Sequence, residues 1–189
     1  MTYPIQTDVI DLLLAQHGQI KNALHAVEIA PVTEKQERLG DLVRLLAIHE
    51  CSEEAVVHPA ARRHSVSEEV VDVRLVEEGC VESVLAELHS LGVGDPRFDS
   101  QFRIFAEMVI EHAELEEREE FGQLLINAST EELVRLTRVV RFAESVDPTR
   151  PNPAGGPAAA ANLPAGPPPV VFDLVRDVIQ DWCRQRVNA

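Results

Sequence analysis

The sequence predicts an all-α protein: an up-down-up-down four-helix bundle with a short fifth helix, a Pro/Gly/Ala linker and a C-terminal helix. Three observations lead there. Apolar residues recur at three- and four-residue intervals through four long segments, the period of a helix with one buried face. Aromatic residues are scarce at 4%, and strand-like alternation is nowhere convincing, which disfavours a sandwich or barrel. The breaks between the four segments are short, so successive helices run antiparallel.

The first helix is expected from about Thr7 to Val27, with Thr7 as N-cap and Asp8 at the positive helix end. The second opens on the capping-box pattern Thr33-Glu-Lys-Gln36 and runs to about Ala61, with Pro59 bending or ending it. The third opens at Ser65 or Ser67 and ends near Leu91, before Gly92 and Gly94. The fourth starts after Asp95-Pro96 and reaches about Asn127. The fifth runs from Ser129-Thr-Glu-Glu132, again a capping-box start, to about Glu144. Residues 1–146 thus form the bundle and 147–169, rich in Pro, Gly and Ala, form a linker. In the last segment, 170–189, Val171, Leu174, Val175, Val178 and Trp182 recur at helical spacing. It is expected to dock on the bundle, the plainest way to bury Trp182, with a partner protein or a homodimer as the alternatives.

Composition narrows the function. The formal net charge of −15 repels nucleic acid and anionic membranes. No apolar run approaches a membrane span or a signal peptide, so a cytoplasmic protein is expected. Cys51, Cys80 and Cys183 are unpatterned and read as reduced thiols.

Two histidine–glutamate pairs carry the chemistry: His49-x-x-x-Glu53 and His112-x-x-x-Glu116. Residues four apart share a helix face, and each pair lies on the apolar stripe. Leu42, Leu45 and Leu46 precede His49, and Phe102, Phe105 and Val109 lead into His112. A buried carboxylate beside an imidazole is costly unless something compensates it, so two such pairs facing one core suggest a metal. His17, following Leu13 and Leu14, points inward as well. His25, His58, His64 and His89 fall out of phase or near helix ends and read as surface or capping residues. His58, nine residues after His49, is about half a turn out of phase.

His17, then His49 with Glu53, then His112 with Glu116, in that order, resembles the pattern of the hemerythrin-like (HHE cation-binding) family over roughly residues 7–145. The resemblance implies a non-haem di-iron centre in a four-helix bundle, with oxygen, nitric oxide or peroxide as ligand. In that reading His17, His49 and His112 are terminal ligands, and Glu53 and Glu116 bridge the irons. Iron comes from the resemblance alone, since these ligand types would also suit zinc or manganese. The chain departs from the family in the third helix, where Gly79 aligns with a usual histidine. Glu78, three and seven residues before Val81 and Leu85, is a candidate replacement ligand, and Glu82, one turn on, a second. The other reading makes both solvated carboxylates and the site asymmetric, mononuclear or lost. A peroxide-decomposing enzyme and a metal-free interaction module are the alternative functions.

Overall fold

The computed structural model describes residues 7–64, 66–145 and 166–187. Helix α1 spans Val9–Ile29 and α2 spans Val32–Ser52. A π-helical turn, Glu53–Val57, joins α2 to the short α3, His58–Arg63. Helix α4 spans Glu68–Leu91 and α5 spans Phe98–Glu116. A second π turn, Glu117–Phe121, leads into α6, Gly122–Asn127, and then come α7, Thr130–Ser145, and α8, Pro168–Val187. The protein is all-α, with no strand among the described residues.

Local chemistry sets the helix ends, in places differently from the sequence expectation. Asp8, not Thr7, caps α1: its carboxylate accepts from the amides of Ile10 and Asp11, and the Asp11 side chain returns the bond to the Asp8 amide. The Thr33 box does not form, because α2 begins at Val32 with Pro31 as its N-cap; Pro31 fixes its own φ near the value that launches a helix. Gly92 ends α4 at φ +80°, a conformation a side chain disfavours. Ser129 Oγ accepts from the Glu132 amide at 3.2 Å, as expected for α7. Glu132 does not complete the box, since its carboxylate turns to His64 and Arg63. Pro59 neither ends nor breaks its helix. The π turn before it loosens the ladder where its ring would crowd the carbonyl four residues back.

Helix α1 packs on α2 and α5, and α4 packs on α5, which gives the four-helix frame of α1, α2, α4 and α5. Helix α7 lies against α1 and α2. Helix α8 docks on α2, α4 and α7. Its Val171, Phe172, Val175 and Ile179 are fully buried in the main core, and Trp182 stacks on Phe142 with ring centroids 4.7 Å apart. Burying each such side chain contributes roughly 1.5–3 kcal/mol. Arg176 fastens the helix: its Nε and Nη2 reach Glu54 at 2.9 and 3.2 Å, and Nη2 lies 3.6 Å from Glu82. The linker expected over 147–169 lies outside the described residues up to 165, and its last two residues already belong to α8.

The apolar core is interrupted at one level. Along α1 the order is Leu13, His17, Ile20; along α2 it is Ile48, the His49–Glu53 pair, then Val57; along α5 it is Val109, the His112–Glu116 pair, then Phe121. In each case the first and last residues belong to two different buried apolar clusters. The polar side chains form a layer between two dry ones.

Candidate metal centre

Three groups of buried ligand atoms converge in that layer, the atoms of each within 4.8 Å of one another: His17, His49, Glu53 and Glu116; Glu50, Glu78 and His112; and His58, Glu116 and Glu120. The Nε2 atoms of His17 and His49 are 3.1 Å apart. His17 Nε2 lies 3.4 Å from Glu116 Oε2, and His49 Nε2 lies 3.2 Å from Glu53 Oε2. His112 Nε2 lies 3.9 Å from Glu116 Oε2 and 4.0 Å from Glu50 Oε2. Glu53, Glu116 and Glu120 are fully buried and every other member of the three groups is nearly so.

The outer nitrogens of three histidines are held from behind. His49 Nδ1 pairs with Gln16 Oε1 at 2.9 Å, and Gln16 Nε2 donates to Glu144 Oε1 at 3.1 Å. His17 Nδ1 pairs with Glu117 Oε1 at 2.7 Å, and His112 Nδ1 with Glu77 Oε2 at 3.0 Å, a carboxylate that the buried Arg74 also contacts at 3.0 Å. A proton fixed on Nδ1 leaves the Nε2 lone pair facing the cluster, the arrangement that orients a metal-binding imidazole.

All six residues singled out by periodicity and resemblance, His17, His49, Glu53, Glu78, His112 and Glu116, lie in this layer. Gly79 is exposed, and a Cβ there would meet nothing within 4 Å, so the inward position of α4 belongs to Glu78. Glu82 faces Arg176 of α8, outside all three groups. The surface reading of His58 is corrected: it is 2% exposed and lies between Glu78 and Glu120. The cause is the first π turn, where the His58 amide bonds the Glu53 carbonyl five residues back. A π turn takes up one more residue than an α turn. Nine residues then advance the chain about as far as eight, which returns His58 to within about 80° of His49. The second π turn does the same for Glu120, eight residues after His112. Glu120 hides in the acidic run "ELEEREEF", where nothing distinguishes one carboxylate from another.

Glu50 was also not singled out. One residue past His49, it should face solvent on a one-sided helix. Every residue of α2 from Leu46 to Ser52 is buried, because α8 covers the outer side: Cys51 Sγ reaches the Phe172 carbonyl at 3.6 Å. The faint signal was the run "LLAIHECS", which has too few polar residues for an exposed face.

Burial and the neighbouring imidazoles of His17, His112 and His58 push His49 well below its ordinary value, which favours the neutral ring. Burial, then the surrounding carboxylates, hold Glu50 and Glu53 well above theirs. Burial also raises Glu78, although His58 pulls against it. At Glu116 burial acts upward, but His17, His112 and His58 hold the group below the usual range. Burial lowers His58, yet its bonds to Glu120 and Glu78 outweigh this and carry it up to about 11.

The donor set fits a metal. Both oxygens of Glu53 and of Glu116, one oxygen each of Glu50, Glu78 and Glu120, and His112 Nε2 are buried without a hydrogen bond. Each buried unsatisfied group costs about 1–3 kcal/mol, more if charged. Cations among carboxylates and imidazoles remove that cost.

No curated protein matches the chain. In fold it is similar to the crystal structure of a hemerythrin HHE cation binding domain-containing protein, the Rv2633c homolog from Mycobacterium kansasii. The TM-score is 0.64 and the identity 21%, over 74% of this chain and 90% of that one. The model of the hemerythrin HHE cation binding domain matches residues 8–124, the stretch from the cap of α1 into α6. The chain therefore belongs to the hemerythrin HHE cation-binding domain family.

Proposed function

We propose that the protein is a non-haem di-iron protein whose buried centre binds a small molecule, with dioxygen, nitric oxide and peroxide as the candidates. The observation that carries this reading is the set of buried carboxylate oxygens without a hydrogen bond, gathered around imidazole nitrogens. Five glutamates contribute to it, more hard oxygen than a structural zinc site uses and suited to ferrous and ferric ions. His17, His49, Glu53 and Glu116 would hold one iron. Glu116, neither of whose oxygens makes a hydrogen bond, would share a second with the groups beyond it. A bound iron pair would supply electron transfer to the small molecule and open coordination positions.

The chain's own part is to present these donors and to keep water away. Gln16, Glu117 and Glu77 fix the outer nitrogens of His49, His17 and His112. The stacked Phe121 ring lies 5.6 Å from the His17 ring and closes the layer on one side. The buried carboxylates would offset part of the cations' charge in a medium that screens it poorly.

The test is the metal content per chain after purification and after anaerobic ferrous reconstitution, with an absorption spectrum of the same sample. Two irons with near-ultraviolet charge-transfer absorption are expected. One iron would reduce the centre to a mononuclear site. No bound metal after reconstitution overturns the reading and leaves the metal-free interaction module. Peroxide turnover above that of free iron would make the protein an enzyme.

A further inference from the structure

The geometry points to Glu50, Glu78 and His112 as the pocket of the second cation, an oxygen-rich half-site reached from the surface between α4 and α5. His58 in turn holds Glu78 and Glu120 in place and does not ligate. This rests on the two-cation reading above and goes beyond it, because Glu50 lies outside both H-x-x-x-E pairs.

The argument is one of free lone pairs. Beyond Glu116 the layer offers two sets of donors. In the set with His58, both ring nitrogens are already engaged, Nδ1 with Glu120 Oε1 at 2.9 Å and Nε2 with Glu78 Oε1 at 2.5 Å. To bind a cation, His58 would have to give up one of these bonds and strand a buried carboxylate. The other set gives up nothing. Glu50 Oε2, Glu78 Oε2 and His112 Nε2 are each buried without a hydrogen bond, they come from α2, α4 and α5, and the three residues can bring ligand atoms within 4.8 Å of one another. The bond from His58 to Glu78 Oε1 leaves Oε2 as the free oxygen and fixes its direction, the part an outer-shell group plays.

The two half-sites then differ. The first has two imidazoles and the second has one, with a larger share of carboxylate. The first is enclosed by α1, α2 and α5. In the second, His112 is one of the residues that line a cavity of about 290 Å³ between α4 and α5, with Glu77, Cys80, Val81, Met108 and Leu115. Glu77 at this opening pairs with both His112 and Arg74. A cation in the second half-site would lie beside a cavity that His112 lines and hold the smaller set of nitrogen ligands, so it exchanges first.

Anaerobic cobalt(II) titration of the full chain, read by bound metal per chain and by the visible ligand-field spectrum, tests this. Wild type is expected to take up two ions. Glu50→Gln keeps the shape of the side chain but removes its charge, and is expected to keep the first ion and weaken the second at least tenfold. His58→Gln is expected to take up both. Thermal melts of the metal-free variants check that each is folded. Two ions bound by Glu50→Gln at wild-type affinity, or a second ion lost from His58→Gln and kept by Glu50→Gln, overturns the assignment and leaves the two-cation reading standing. A wild type that binds no cobalt overturns both.

A second measurement needs no change in the layer. In a Cys183→Ser background, N-ethylmaleimide on the exposed Cys80 should slow the fast phase of ferrous iron release to a chelator by severalfold and leave the slow phase unchanged. Equal slowing of both phases, or of neither, counts against the α4–α5 route.

Discussion

His17 of α1 and His49 of α2 face each other edge to face, with ring centroids 4.7 Å apart, an interplanar angle of 77° and Nε2 atoms 3.1 Å apart. Their Nδ1 atoms pair outward with Glu117 and Gln16, so the two Nε2 atoms meet inside the layer. A shared cation would bond both nitrogens. His49→Ala should therefore lower bound metal by at least one ion per chain. The metal-free variant should unfold at a temperature no lower than metal-free wild type by more than a few degrees. Full metal content in His49→Ala would remove His49 from the ligand set.

Glu53 and Glu116 are fully buried, and neither oxygen of either makes a hydrogen bond. Glu53→Gln should raise the stability of the metal-free protein by about 1 kcal/mol or more while weakening metal binding, because a neutral amide is easier to bury than a carboxylate. Chemical denaturation with and without metal separates the two effects. A variant that loses stability in both states would show Glu53 to be structural.

Metal uptake should release protons. Glu50 and Glu53 have folded values raised above their ordinary 4.5, so in the metal-free protein protonation stabilises the fold. That contribution is complete below about pH 4.5 and is lost as pH rises through the raised values. A cation needs the ionised form, so binding displaces these protons and affinity falls as pH drops from neutrality. Calorimetry in buffers of different ionisation enthalpy reads the release; heats independent of buffer would contradict it.

Loading should stabilise the fold. At a free metal concentration about 100 times the dissociation constant, linkage adds about 2.7 kcal/mol, roughly 5–10 °C in a chain of this size. Differential scanning calorimetry with metal and with chelator checks this, and coincident melts would show that the layer binds nothing.

Helix α8 should be held by its apolar face more than by its ion pair. Phe172→Ala removes a ring 2% exposed and should cost about 3–4 kcal/mol. Arg176→Ala breaks a partly exposed pair with Glu54 and should cost about 1 kcal/mol or less. Denaturant midpoints compare the two. If Arg176→Ala costs more than Phe172→Ala, the charge clamp and not the core anchors α8.

The helical class, the positions of the long helices to within a few residues, and the in-phase residues of the polar layer are legible along the chain. Each of those follows from a period of 3.6 residues read along one segment, and His17, His49, Glu53, Glu78, His112 and Glu116 all lie where that period puts them. The rest depends on how the helices pack. His58 and Glu120 enter the layer only because two π turns shift the helical phase by about one residue, and no local pattern records where a helix widens. Glu50 is buried because its side of α2 meets Glu78 of α4 and His112 of α5, while α8 covers the neighbouring Cys51. A side chain's phase can be read locally; its burial depends on what packs against it, and packing is a property of the whole fold.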